Sequence, residues 1–338
     1  MTRRHPDRGS ALPAALLVVT VAAVAAASLA TLARTEVLLA RNRVSAVRAL
    51  SAADGCVASV VSALPAGWGF EALLLGPDGA SGTADDGATS APSGCAAAFR
   101  PAPDPARALL NVEATAGEGR RALDAVVGRA AEPAIPALLW LSEAGTLGDV
   151  AGSLTFSGAD PVRPGAPRAP IAAPGDPALL DAWLAAHTGG VAVQSPAMAP
   201  FRAPAPPLAE LATRARAAGA LPSGTLVSAG TPPLALTLVT GDLAIGSAAS
   251  GRGLLFVDGL LDITGTFEFS GVVVASAGIR VASGARLEIA GAVWLGNWAT
   301  LMVDGDAHVA ADGAALDAAD GLLRLPRRAV VGGMRDAS

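Results

Sequence analysis

The chain has 338 residues, enough for one large domain or two smaller ones once a membrane segment is set aside. Alanine and glycine are abundant, aromatic residues make up 4%, and neither Tyr nor Lys occurs, so the basic residues are all Arg apart from three His. The net charge of -5 is mild, and no basic face with interleaved aromatics is present, which argues against nucleic acid as a partner.

The first predicted element is the uncharged run from Ser10 to Ala33, preceded by Arg3, Arg4 and Arg8. As a helix at about 1.5 Å per residue it would extend roughly 36 Å, enough to cross a hydrocarbon core of about 30 Å. The arginines predict that the N-terminal end stays cytoplasmic and that everything after Ala33 faces the periplasm or the exterior. A cleaved secretory signal has the same basic start and apolar stretch, and Ala25, Ala27 and Ala30 would supply peptidase sites. Against it, the helical pattern does not stop. Val37, Leu38, Leu39, Val44, Val47, Leu50, Val57, Val60, Val61 and Leu64 recur at threes and fours up to Pro65, with Arg34, Arg41, Arg43 and Arg48 between them. The spacing favours one retained helix over 10–64.

Two stretches carry a resemblance. Arg8-Gly9-Ser10-Ala11-Leu12, a basic leader ending in Gly before an apolar helix that continues as an amphipathic one, resembles the N-terminus of type IV pilins and type II pseudopilins. Arg41-Asn42-Arg43 and Ala52-Ala53-Asp54-Gly55 are similar to the corresponding part of PilX-type minor pilins. The likeness covers roughly the first sixth of the chain. It implies cleavage by prepilin peptidase between Gly9 and Ser10, leaving 1–9 as leader. It also implies a stay in the inner membrane before assembly, and partnership with other pilin or pseudopilin subunits. Most pilins carry a glutamate five residues into the mature chain, where this one has Ala14. That departure points to a minor, initiating or tip subunit rather than a major one.

The region 65–136 reads as a small irregular or mixed segment. Cys56 and Cys95 both fall on the expected exported side, where a disulfide would close a loop of about forty residues and stabilise by about 2–4 kcal/mol. Two free buried thiols are the plainer alternative, and the spacing excludes zinc. Between the cysteines, Asp78, Asp85 and Asp86 stand in a glycine-rich loop that could gather oxygen ligands around calcium. The loop lacks the alternating acids and closing glutamate of an EF-hand, so a solvated turn is the favoured reading.

The C-terminal half contains an internal repeat of about twenty residues. One unit runs from Leu254 through Leu261 and Phe267 to Gly271, the next from Val272 through Ile279 and Leu287 to Gly291, and a third starts at Ala292. Each reads as three short strands separated by glycine turns, which fits coils of a parallel β-helix. Leu138 to Gly158 has the same layout and the same Phe-Ser-Gly ending. The expected architecture is α+β: a long helix, then a β-helical head over 137–338, interrupted at about 159–231 by a proline-rich insertion with helical patterns at Pro177–His187 and Pro207–Ala220.

Parallel β-helices include polysaccharide lyases and hydrolases, which use clustered carboxylates. Here Asp258, Asp262, Glu268, Glu288, Asp304 and Asp306 are available, but most sit beside turn glycines where Asp is common for backbone reasons. Asp306 and His308 share a strand face with no activating Ser or Cys nearby, and His187 and His5 lack convergent partners. Trp294 and Trp298 flank a turn and would form an adhesive or sugar-binding surface if both were exposed; the strand pattern instead buries Trp294. The reading is a non-enzymatic filament subunit without a cofactor. The alternative is a membrane-anchored, exported β-helix protein that binds or degrades polysaccharide.

Overall fold

The computed structural model describes residues 11–143, 147–160, 167–194, 199–296 and 300–337. A single helix, α1 (Ala11–Ala63), occupies the N-terminus and is about 80 Å long at 1.5 Å per residue. Pro13 falls in its first turn, where a missing N–H costs nothing, and Pro65 follows its end. A short α2 (Glu71–Leu74) leads into an antiparallel meander of β1 (Cys95–Pro101), β2 (Arg107–Ala116) and β3 (Gly119–Arg129). The β2–β3 hairpin turns through Gly117 at φ +60, the backbone sign that a tight hairpin requires.

One face of the meander is apolar. Ala108, Leu110, Val112 and Ala114 alternate along β2 and meet Leu123, Ala125 and Val127 of β3, and all bury against the second half of α1. A fourth strand comes from the far end of the chain, where Ala329–Asp336 pairs antiparallel with β3. The region 65–136, read from sequence as small and irregular or mixed, carries the short α2 and the three strands β1, β2 and β3. Residues 329–336, read as part of the head, complete that sheet.

Between these two neighbouring strands the chain runs out into a mostly β region with parallel sheets. It comprises β4 (Ala137–Leu141), β5 (Leu147–Val150), β6 (Ser153–Ser157), β7 (Ala169–Ala173), α3 (Pro177–Ala186), β8 (Val191–Val193), β9 (Phe201–Arg202) and α4 (Leu208–Ala217). Then follow β10 (Leu234–Thr240), β11 (Leu243–Ile245), β12 (Ala249–Asp258), β13 (Leu260–Ile263), β14 (Thr266–Ala275), β15 (Gly278–Val281), β16 (Arg286–Leu295), β17 (Thr300–Val303), β18 (Asp306–Ala310), α5 (Gly313–Leu322) and β19, the strand Ala329–Asp336.

The repeat sets the register. Phe267, Leu287, Ala307 and Leu154 stand side by side on parallel strands, as do Leu261, Ile279, Leu301 and Leu147 on the second sheet. Ile279, Val281, Leu287 and Ile289 are buried, whereas Arg280 and Arg286 are exposed and Glu288 half-buried, which is the alternation expected of these strands. The long strands β12, β14 and β16 bend at Gly253, Gly271 and Gly291, which lie in register at φ +114, +141 and +145. A Cβ on Gly271 would collide with the carbonyl oxygen of Gly253, and one on Gly291 with that of Gly271.

Spatial order differs from chain order. The unit at 137–157 does not precede the one at Leu234; β4, β5 and β6 pair with β16, β17 and β18, the last unit of the repeat. The insertion is also partly strand, since β7 extends the stack beyond β4 and β8 beyond β6. The chain thus builds outward from β4, crosses through α4 to the opposite end at β10, and winds back until its last unit docks on its first. Sequence similarity between units reveals that they stack but not in what order.

Two apolar layers result. Inside the sheets pack Leu139, Phe156, Ile263, Ile279 and their neighbours. The segments Leu254 to Val257, Val272 to Ala275, Ala292 to Leu295 and β4 are buried on both faces, because Leu211 and Ala215 of α4 and Leu316 and Ala319 of α5 cover their outer side. Trp294 lies in this second layer, fully buried, edge-on to Trp140 at 5.1 Å between ring centroids. Trp298, its partner in the alternative of an exposed pair, lies outside the described residues.

Candidate assembly surface

The feature that the fold leaves unsatisfied is the first half of α1. Leu12, Leu16, Leu17, Val18, Val19, Val21, Val24, Leu29 and Leu32 are all at least 60% exposed. This is the one helix among the described residues long and apolar enough to cross a membrane. The second half is docked: Ala49, Ala53, Cys56, Val57, Val60, Val61 and Leu64 form its buried stripe. Sequence periodicity places Val44, Val47 and Leu50 on the amphipathic face, but all three stay exposed, Val44 and Val47 on the side away from the sheet. The helix instead approaches through small residues, and the backbone of Gly119 comes so close to Ser45 that a Cβ there would strike its carbonyl. Ala49 and Ala53, four apart, were the overlooked signal, because a pattern scored on large side chains passes over a close alanine contact.

Ala14 sits on the exposed part of α1. The expected cleavage point, Gly9–Ser10, lies outside the described residues, as do Arg3, Arg4, His5 and Arg8.

Cys56 on α1 and Cys95 at the start of β1 form a disulfide with Cα atoms 6.4 Å apart, within the usual span of such bridges. The link ties the helix to the edge of its sheet. Asp78, Asp85 and Asp86 are not assembled as a ligand set. Asp78 Oδ1 accepts from the Ala80 N–H, and Asp86 Oδ2 accepts from the Gly82 N–H at 2.6 Å. The Thr83 hydroxyl donates to Asp85 at 2.8 Å and holds its carboxyl below the ordinary range. Among the described residues no three His, Cys, Asp or Glu side chains come together to hold a metal ion.

Four of the six candidate carboxylates are engaged in the wall of the stack. Asp258 accepts from Arg216 and Ser276, Asp262 from Arg280, Glu288 from Arg286, and Asp306 from Ser153. His308 shares the outer face of β18 with Asp306, between Glu288 and Thr155. His187 stacks on Trp183 at 4.7 Å.

A second feature that sequence did not reveal joins helix end, sheet and head. Arg129, the last residue of β3, donates to the carbonyls of Gly69, Pro65 and Arg327 and lies over the Phe70 ring at 4.4 Å. Burial away from water pulls its guanidinium down to about 10, against the opposing pull of Glu210. Arg327 exchanges backbone hydrogen bonds with Gly67 and pairs with Asp320 of α5 at 2.7 Å. Arg214 of α4 covers the Trp68 ring at 4.5 Å. Arg129 and Arg327 lie 198 positions apart in the chain and Gly67 and Arg327 farther still, so no local pattern could have signalled them.

Fold and surface together define an α+β protein that presents a long apolar N-terminal helix and a larger, mostly β region. No protein family and no curated protein matches the chain. Among solved structures, it is similar to the competence-associated pilin ComZ from Thermus thermophilus, at 10% identity and a TM-score of 0.20, over 72% of this chain and 83% of that one.

Proposed function

We propose that the chain is a non-enzymatic minor subunit of the PilX type, acting in the assembly or at the tip of a type IV pilus or related secretion pseudopilus. One observation carries this reading: α1 is continuous, its second half buried against the antiparallel sheet and its first half apolar and uncovered. A helix built this way suits lipid first and a bundle of like helices afterwards. The Gly9–Ser10 leader adds the processing step by prepilin peptidase, and Ala14 fits a subunit that is not the repeating one.

In this reading the protein is a single-pass inner-membrane protein with its N-terminus cytoplasmic and its head periplasmic, later carried to the cell surface. The Cys56–Cys95 bridge suits that oxidising compartment. We read the head as a short parallel β-helix. Because it leaves and re-enters the sheet between adjacent strands β3 and β19, it is displayed without interrupting the helix-and-sheet stem. N-terminal sequencing of the mature protein tests the proposal. A start at Ser10 is expected, whereas a start near Thr31 would make the segment an ordinary signal peptide.

A further inference from the structure

We propose that the face of α1 turned away from the sheet docks a partner helix that carries carboxylates opposite Arg34, Arg41 and Arg48. This rests on the filament reading above and names the partner's chemistry.

Val37, Ala40, Val44 and Val47 recur at alternating spacings of three and four, the pattern of a helix–helix seam. At roughly 100° per residue Val44 lies about 180° round the helix from the docked Ala53, so this seam is on the side away from the sheet. The three valines are 52%, 49% and 62% exposed. The three arginines repeat every seventh position, drift only about 20° per repeat, and so run as one basic stripe beside the seam. All three are exposed, and among the described residues none pairs with a carboxylate. Charges flanking such a seam set partner choice.

Charge decides the occupant. The stretch from Arg34 to Arg48 also contains Arg43 and has Glu36 as its one acid, so a second copy in parallel register would bring like charge against like. Anionic headgroups could meet Arg34. Val44, however, lies about 16 Å past Ala33 at 1.5 Å per residue, beyond the apolar core that the run from Ser10 would fill, and lipid would leave it and Val47 wet. An acidic helix with an apolar seam satisfies both features at once.

The test uses the mature full chain in nanodiscs of zwitterionic lipid. The probes are two fluorescent helical peptides of about four heptads, identical at the Val and Ala seam positions and carrying either Glu or Arg at the flanks. The native chain should bind the Glu peptide at least about tenfold more tightly than the Arg peptide in low salt, and the difference should shrink to about twofold or less near 1 M salt. Joint Arg34→Gln, Arg41→Gln and Arg48→Gln should remove the preference, and the corresponding Glu substitutions should reverse it. Equal binding of both peptides in low salt would overturn the proposal. So would binding seen only with anionic nanodiscs, self-association outcompeting the Glu peptide, or a preference that survives the Glu substitutions. A mature start at Ser10 together with any of those results would sink this inference and leave the filament reading standing.

Discussion

Two uninterrupted apolar runs in this molecule meet opposite fates. Leu254, Leu255, Phe256 and Val257 are 0–2% exposed, while Leu16, Leu17, Val18 and Val19 are 64–66% exposed. An apolar run without alternation demands cover on every side. For the strand, the chain provides it: the stack interior on one face, α4 and α5 on the other. For the helix it provides none, so the cover must come from outside. Stability and assembly are thereby divided between the two regions, and substitutions should separate them.

The largest effect belongs to the self-covered region. Ile289→Asp would bury an unpaired carboxylate between strands and should cost several kcal/mol, enough to expose neighbouring units to protease. Glu288→Lys, one position along on the outer face, should cost little, because its partner among the described residues, Arg286, is an exposed neighbour. Equal protease sensitivity of the two would contradict the register.

Next comes the bridge. Non-reducing peptide mass mapping should recover Cys56 joined to Cys95, and Cys56→Ser with Cys95→Ser should destabilise the stem by about 2–4 kcal/mol in chemical denaturation. The head should unfold at an unchanged denaturant concentration, since its parallel strands rest on one another. A loss confined to the head would reverse the assignment.

Gly271→Ala should act in between, at about 1–3 kcal/mol, through backbone strain at positive φ and the collision with Gly253. Gly117→Ala, at φ +60 with open space around its Cβ, should cost less. A thermal melt of each variant distinguishes them, and a larger shift at Gly117 would mean that the stacked corner glycines do not limit the head.

The smallest effect is acidic. Asn111 and then Arg335 donate to Asp124 and hold its carboxyl below the ordinary range. A depressed carboxyl stabilises above its unfolded value, and that contribution fades as pH falls from there through the lower folded value. Pairing of β3 with β19 should therefore loosen as strong acidity is reached, by well under about 1 kcal/mol at this screened site. Asp124→Asn should flatten that acid response in amide exchange of β19, and an unchanged response would assign it to another group.

Sequence made the long helix legible because period and length both survive in any surroundings. The head's units were legible because each repeats the same strand–glycine spacing, and because alternation such as Leu287-Glu288-Ile289 fixes which side is buried. The order of the units was not, since Leu139 finds Val293 only after the whole stack is wound. Nor was the stem sheet, whose fourth strand, Ala329–Asp336, is short of large apolar residues and mostly exposed. On the candidate surface, the apolar character of α1 was plain from composition. Which side of its second half docks was hidden, because Ala49 and Ala53 make the contact while the larger Val44 and Val47 do not.

The central claim is that the exposed half of α1 is covered first by lipid and then by other helices. A photo-crosslinking residue at position 18, in place of Val18, tests it in cells that produce the filament. We predict lipid adducts when assembly is blocked, and adducts to another protein's N-terminal helix in sheared filaments. A chain absent from sheared filaments, or one that gives only lipid adducts there, would contradict the account.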